Sequence, residues 1–203
     1  MLISALRREH LAPGAEVLDV GTGTGAVAIA AARYGAARVI AIDMSAAAVL
    51  TTRLNALLSG HARVIRAGRG DLTEPVASLR FDLVLANPPY VPSASTRMPR
   101  RGRARAWEAG PDGRAVIDRV CAKVPALLRP GGVLLAVHSV LSDPTITETR
   151  LTEAGLDVSV ADRRFVPFGP VLRGRAAWLE MRGLIEPGQE EEELVVIRAE
   201  RPY

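Results

Sequence analysis

Asn87-Pro88-Pro89-Tyr90 is the stretch richest in chemistry, and it directly follows the apolar run Phe81 to Ala86. Proline after Asn87 biases that residue towards extended backbone, while Pro88 and Pro89 fix their own φ and donate no N–H, so the turn is stiff. A stiff turn aims its acceptors. The Asn87 side-chain oxygen and the Pro88 carbonyl suit the two hydrogens of a planar NH2 group, whose delocalised lone pair must be turned towards an electrophile before it attacks. Tyr90 is able to stack behind that plane. The pattern reads as a holder for an amide or an exocyclic amine awaiting transfer of a small group. An ordinary proline-rich turn after a strand is the plain alternative.

A second constellation, Gly21-Thr22-Gly23-Thr24-Gly25, separates the strand-like Glu16 to Val20 from the small-residue stretch Ala26 to Tyr34. Strand, glycine turn and helix in that order let backbone approach a ligand closely and face it with helix N–H groups. The spacing is neither the G-x-G-x-x-G of dinucleotide folds nor a phosphate loop with its Lys-Ser/Thr. A tight structural turn stays open. Asp43 closes the next apolar run, Arg38 to Ile42, about 20 residues beyond the glycines, where a carboxylate accepts from ribose hydroxyls. A charge leading into a helix is the alternative. Asp71, after a third strand expected over Ala62 to Ala67, either accepts from an adenine amino group or terminates a turn.

The elements that must position these residues are legible in outline. Leu2, Ile3, Leu6 and Leu11 repeat at helical spacing until Pro13-Gly14. Ser45 suits the N-cap of a helix through Leu57, with Val49, Leu50, Leu54, Leu57 and Leu58 apolar. Val91 to Gly110 shows no periodicity and reads as a long substrate-side loop. The turn-rich Trp107 to Arg114 leads into a helix with Val116, Ile117, Val120, Val124, Leu127 and Leu128 apolar, stopped by Arg129-Pro130-Gly131-Gly132. A fifth strand, Val133 to Val137, precedes a helix from Ser142 to Ala154 that opens with Asp143-Pro144. Leu156 to Val166 is the expected sixth strand and Leu194 to Ala199 the last. Between them Phe168 to Gly188 reads as irregular, tucked down by Trp178 and Met181, and Glu190 to Glu193 as a solvated lead into the last strand. Near-continuous apolar strands imply burial on both faces of a largely parallel sheet, hence an α/β fold.

Composition narrows the class. The 203 residues suit a single domain spanning 1–203, and the 48% apolar content is globular. No run approaches the roughly 18 to 20 apolar residues of a membrane span. Met1 to His10 lacks the order of a secretory signal, so a cytoplasmic protein is expected. A lone cysteine, Cys121, excludes an internal disulfide and a Cys-based zinc cluster, and its apolar helical setting suggests inert packing. His10, His61 and His138 are scattered and make no metal ligand set. The net charge of +4 invites a nucleic-acid partner, yet 25 of the 26 cationic side chains are arginine in an alanine-rich chain, which partly reflects GC-rich coding. The local basic cluster Arg97, Arg100, Arg101, Arg103 and Arg105 reads as a solvated loop or as a surface for an anionic partner.

With Val17-Leu18-Asp19-Val20-Gly21-Thr22-Gly23-Thr24-Gly25, Asp43 and Asn87-Pro88-Pro89-Tyr90 in register, the chain resembles the class I S-adenosylmethionine-dependent methyltransferases. More narrowly it resembles the HemK/PrmC-like protein-glutamine N5-methyltransferases, in their short branch without a helical substrate-binding domain. The stretch Trp107 to Arg114 and Leu127-Leu128-Arg129-Pro130-Gly131-Gly132 carry that narrower likeness, which spans nearly the whole chain. It implies a Rossmann-like, seven-stranded sheet with the last strand antiparallel. It also implies methylation of the glutamine side-chain nitrogen in the Gly-Gly-Gln loop of a translation release factor, with S-adenosylhomocysteine as product. By that resemblance Asp19 and the turn from Gly21 through Thr22 and Gly23 to Gly25 hold the methionine moiety, Asp43 the ribose and Asp71 the adenine. Met44, Leu72 and Asn87 complete the cofactor set, and Asn87 with Pro88 also holds the target amide, flanked by Pro89 and Tyr90. Amino-methylating RNA and DNA enzymes share the Asn-Pro-Pro-Tyr turn, so a nucleobase acceptor reached through the Arg97–Arg105 loop is a rival. Small-molecule or peptide N-methylation is another. A cofactor-binding subunit that works only with a small activating partner is the non-enzymatic alternative.

Overall fold

Seven strands form one sheet in the order β3-β2-β1-β4-β5-β7-β6, in a computed structural model that describes residues 1–99 and 102–203. β1 (Glu16–Val20), β2 (Arg38–Asp43), β3 (Ile65–Arg69), β4 (Phe81–Ala86) and β5 (Leu128–Ser139) run parallel. The last strand, β7 (Glu191–Glu200), lies antiparallel between β5 and β6 (Asp157–Pro167). Leu18, Val84 and Leu134 face one core layer, while Val17, Leu83, Leu85 and Leu135 face the other. Consecutive apolar residues thus serve two buried faces, which is why these strands read as unbroken apolar runs. The first layer is covered by α4 (Ile117–Lys123) and α5 (Pro144–Glu153), the second by α1 (Leu2–Arg8), α2 (Ala26–Arg33) and α3 (Ala46–Leu58). Each buried Val or Leu contributes about 1.5–3 kcal/mol, against about 0–1 for an exposed ion pair. The layers, more than the many surface arginine pairs, hold the sheet.

Helix starts follow the expected chemistry. The Ser45 hydroxyl accepts from the Ala48 N–H at 3.3 Å to cap α3, and the Asp143 carboxylate accepts from the Thr145 N–H at 3.0 Å ahead of Pro144 in α5. Four boundaries differ from expectation. β3 begins at Ile65, not Ala62, because the His61 carbonyl still holds the Val64 and Ile65 N–H groups in a turn. α4 ends at Lys123, and the segment Arg129 to Gly132 is the start of β5 instead of a helix stop. Phe81 pairs with Leu128, the register shifts, and Leu83 pairs with Val133, while Gly131 and Gly132 exchange backbone bonds with Arg201 at 2.7 and 2.8 Å. Pairing on both sides overrides the local Pro-Gly-Gly signal. β7 likewise reaches back to Glu191.

The stretch expected to be irregular, 168–188, contains two short helices, α6 (Pro170–Arg173) and α7 (Ala176–Met181). Phe168, Leu172, Leu179 and Ile185 build from it a third apolar cluster that takes in Tyr90, Val91 and Trp107. Trp178 packs there as expected, but Met181 is 77% exposed and tucks nothing down. On α3 the buried positions are Val49, Thr52 and Ala56, and Leu50, Leu54, Leu57 and Leu58 face outward. No helix among the described residues is long and apolar enough to cross a membrane.

Candidate active site

Register brings the chemistry together. Val20 pairs with Ile42 on one side and Ala86 on the other, so Gly21, Asp43 and Asn87 leave the sheet side by side at one level. The N–H groups of Gly21 and Thr22 both donate to the Ile42 carbonyl, at 2.8 and 3.0 Å, and Gly21, Gly23 and Gly25 all have left-handed backbone. At Gly25, which precedes α2, a Cβ would lie 2.8 Å from Thr52 Cγ2, so the turn closes on α3 only with glycine there. Asp43 accepts from the Gly23 N–H at 3.0 Å and from the Ser45 N–H at 2.8 Å, tying the glycine turn to the start of α3. An ionised carboxylate has lone pairs beyond these two bonds, so Asp43 can still accept from a ligand. Met44, next along, is exposed.

Asp19 lies beneath the turn, 2% exposed, and accepts from the Thr22 hydroxyl at 2.6 Å. Burial pushes its carboxyl up to about 6, opposed by the bonds from Thr22 and the Ala28 backbone and assisted by the charge of Asp43. At the end of β3, the Asp71 Oδ2 accepts from Arg119 Nη2 at 2.7 Å, while its Oδ1 is buried without a partner. Leu72 is buried with φ +52, a backbone conformation uncommon for a non-glycine residue.

Beside the glycine turn Asn87 is exposed, Pro88 buried, and Pro89 and Tyr90 half-buried. A Cβ on Gly21 would lie 3.9 Å from the Asn87 carbonyl oxygen, so the glycine turn and the Asn-Pro-Pro-Tyr shelf abut. Tyr90 is the shelf's anchor. Its carbonyl accepts from the Ser142 hydroxyl at 2.9 Å and its ring packs on the third apolar cluster. Gly113, with φ +70, comes so close that a Cβ would lie 2.5 Å from that same carbonyl. The long loop has both legs pinned: Val91 N–H donates to Trp107 O at 2.9 Å, Ala109 N–H to Val91 O at 3.2 Å, and Ser93 N–H to Gly110 O at 2.9 Å. Arg175, at the start of α7, donates to Pro92 O at 2.7 Å and pairs with Glu108, binding the loop to the helical cap. Within the basic cluster Arg97 and Arg103 are exposed, and Arg100 and Arg101 lie outside the described residues.

Several residues of this neighbourhood carried no clear mark in the sequence. Arg114 is 3% exposed and donates to the carbonyls of Ser142 and Asp143, to Asp118 at 2.7 Å and to Thr147 Oγ1 at 3.1 Å. One buried guanidinium thus joins the end of the loop to α4 and α5, and only the i,i+4 spacing to Asp118 hinted at it. Glu192, expected in a solvated run, is 6% exposed with Oε2 unpartnered. Burial raises its carboxyl against the opposing bond from Ser139, and the Tyr90 phenol is pushed up to about 12 by burial and by the charge of Glu192. The available signal was parity, since Glu192 shares its strand face with Leu194 and Val196. His138, fully buried, is lowered to about 4 by burial. Among the described residues no group of His, Cys, Asp and Glu side chains could hold a metal ion.

Known proteins resemble this chain in sequence and in fold. A family model described as ribosomal protein L11 methyltransferase (PrmA) matches residues 1–88. A Methanocaldococcus jannaschii protein, provisionally named a protein N5-glutamine methyltransferase, is 34% identical over 153 residues, covering 75% of this chain and 76% of that protein. The release factor glutamine methyltransferase of Gloeobacter violaceus is 36% identical over 66% of this chain, which spans about half (49%) of that longer protein. Among solved structures, Mtq2 in the E. cuniculi Mtq2–Trm112 complex, described as responsible for methylation of the eRF1 termination factor, superposes with a TM-score of 0.63 at 24% identity, covering 98% of this chain and 92% of that one. The chain belongs to the protein N5-glutamine methyltransferase family of class I methyltransferases.

Proposed function

We propose that the chain transfers a methyl group from S-adenosylmethionine to the side-chain nitrogen of a glutamine in the Gly-Gly-Gln loop of a translation release factor. The observation that carries this reading is the contact of the rigid Asn-Pro-Pro-Tyr shelf with the glycine turn, Asn87 beside Gly21. The residues present suit the donor. Asp71 offers an unpartnered acceptor to an exocyclic amine, Asp43 has lone pairs to spare for ribose hydroxyls, and the buried Asp19 carboxylate calls for a cation such as the methionine ammonium. When bound, S-adenosylmethionine supplies an electrophilic methyl group on a sulfonium.

The chain's own contribution is positioning. Asn87 Oδ1 takes one amide hydrogen and the Pro88 carbonyl the other, which turns the nitrogen lone pair towards the methyl carbon. Both bonds strengthen as the nitrogen becomes cationic. The nitrogen then loses one proton to solvent, leaving the N5-methyl amide. Ser142 fixes the shelf by donating to the Tyr90 carbonyl, and Gly113 packs closely against that carbonyl. The names of the relatives support the substrate, and a release-factor substrate goes with a cytoplasmic enzyme. A small activating subunit is a further proposed partner: Mtq2 was solved with Trm112, and here α3 leaves Leu50, Leu54, Leu57 and Leu58 uncovered.

The test is transfer of labelled methyl to purified release factor, to its Gln→Ala form, and to RNA and DNA in parallel. Label should enter the release factor alone and vanish with the glutamine. Label in nucleic acid, with binding that weakens steeply in salt, would refute the glutamine reading. An Asn87→Ala variant should lose roughly 100-fold or more in turnover while keeping its affinity for S-adenosylhomocysteine. A collapse of cofactor binding in that variant would remove the role assigned to Asn87.

A further inference from the structure

Asp71 is held by more than its own loop. The Gly70 N–H donates to the Asp43 carbonyl at 3.0 Å, the Glu74 N–H to the Asp71 carbonyl at 3.1 Å, and Leu72 is sunk into the core layer that also holds Val116, Ile117 and Val120. Its backbone is therefore fixed, but a carboxylate still swings about its terminal torsion, which is broad. Arg119 removes that freedom. From α4 its Nη2 grips Oδ2 at 2.7 Å, and Lys123, one turn further along α4, reaches Glu74 at 3.7 Å. Two ion pairs thus couple α4 to the segment that follows β3. With Oδ2 occupied, the buried and unpartnered Oδ1 is the oxygen left to receive a ligand's hydrogen.

We infer that Arg119 is a positioning residue for base recognition: by clamping Asp71 Oδ2 it aims Oδ1 at an exocyclic amine, so that an amino-purine is accepted and an oxo-purine refused. This rests on the proposed adenosyl donor. An acceptor-only oxygen, itself shielded from water although the ion pair beside it is partly exposed, welcomes an N–H and repels a carbonyl. A site built around a buried hydrogen bond discriminates strongly against the analogue that cannot make it. Arg119 touches no ligand itself. Its contribution is the fixed direction of Oδ1.

The measurement is calorimetric affinity for S-adenosylhomocysteine and for its inosine counterpart, S-inosylhomocysteine, with the wild type, Arg119→Ala and Arg119→Lys. The wild type should prefer the adenosyl ligand by on the order of 100-fold. Arg119→Ala should cut that ratio about tenfold through the adenosyl ligand alone, and Arg119→Lys, which keeps one charge-assisted donor, should restore part of it. Equal weakening of both ligands in Arg119→Ala, or an unchanged ratio, overturns the inference, since a merely structural arginine acts on both alike. If the wild type binds neither ligand, the adenosyl reading itself fails. Urea denaturation of both variants, showing transitions like the wild type's, separates loss of aim from loss of fold.

Discussion

Replacing Asp19 with asparagine should make the ligand-free protein more stable near neutral pH. The carboxyl is raised from 3.8 to about 6 by burial under the glycine turn, and a shift of about 2 units corresponds to roughly 3 kcal/mol. Because the folded-state value lies above the unfolded one, the folded protein binds this proton more tightly. Its contribution is therefore most favourable below 3.8, and the cost grows as pH rises through 6. Asparagine keeps an oxygen for the Thr22 hydroxyl at 2.6 Å and removes the charge. Urea denaturation at a series of pH values should show Asp19→Asn about 2–3 kcal/mol more stable at about pH 8, with the gain fading towards about pH 4. The wild-type curve alone is not diagnostic. His138, lowered from 6.5 to about 4, works the other way: its contribution is complete above 6.5 and is lost as pH falls through 4. Only the difference between the two proteins isolates Asp19. S-adenosylhomocysteine, whose ammonium is proposed to compensate the buried charge, should stabilise the wild type more than the variant. A variant that is less stable at about pH 8, or whose difference from wild type does not change with pH, would refute the account of this carboxylate.

Three further outcomes are expected. Gly113→Ala meets the Tyr90 carbonyl at 2.5 Å and imposes left-handed backbone on alanine, so it should cost roughly 2–4 kcal/mol in urea denaturation and lower methyl transfer; a neutral result would mean Tyr90 is not fixed from this side. Arg114→Met leaves Asp118, Thr147 and two carbonyls without their buried donor and should destabilise by about 3–5 kcal/mol, measured the same way. Cys121, buried and raised to about 11, should resist a disulfide reagent at about pH 8 in the folded protein and react fully in urea, with rapid native labelling as the contrary result.

The parts read correctly from sequence were those where local chemistry and tertiary pairing agree. Ser45 and Asp143-Pro144 announce their helices, and Gly21 to Gly25, Asp43 and Asn87 to Tyr90 each follow a run that ends where the sheet ends. Disagreement between levels hid the rest. Pro130-Gly131-Gly132 looks like a stop, yet bonds to Arg201 and the register with β4 make it strand. Helical spacing of Leu50, Leu54, Leu57 and Leu58 marks a face without saying which way it points, and the smaller Val49, Thr52 and Ala56 take the inside. Helices as short as α6 and α7 carry no periodic signal at all, so the cap over the 91–110 loop emerges only in three dimensions. Glu192 was concealed by its acidic neighbours.

The level finish of β1, β2 and β4 makes the placement of the glycine turn against the shelf a matter of odd and even. Side chains alternate across a strand, so inserting or deleting one residue in Phe81–Ala86 would swing Asn87 to the opposite face and carry the shelf away from Gly21. Losing two residues would retain the facing but pull the shelf back about 7 Å, out of touch with the glycines. The spacing between the glycine turn and the Asn-Pro-Pro-Tyr shelf is thus counted out in whole residues, and length changes in this protein belong in its outer loops, never in its central strands.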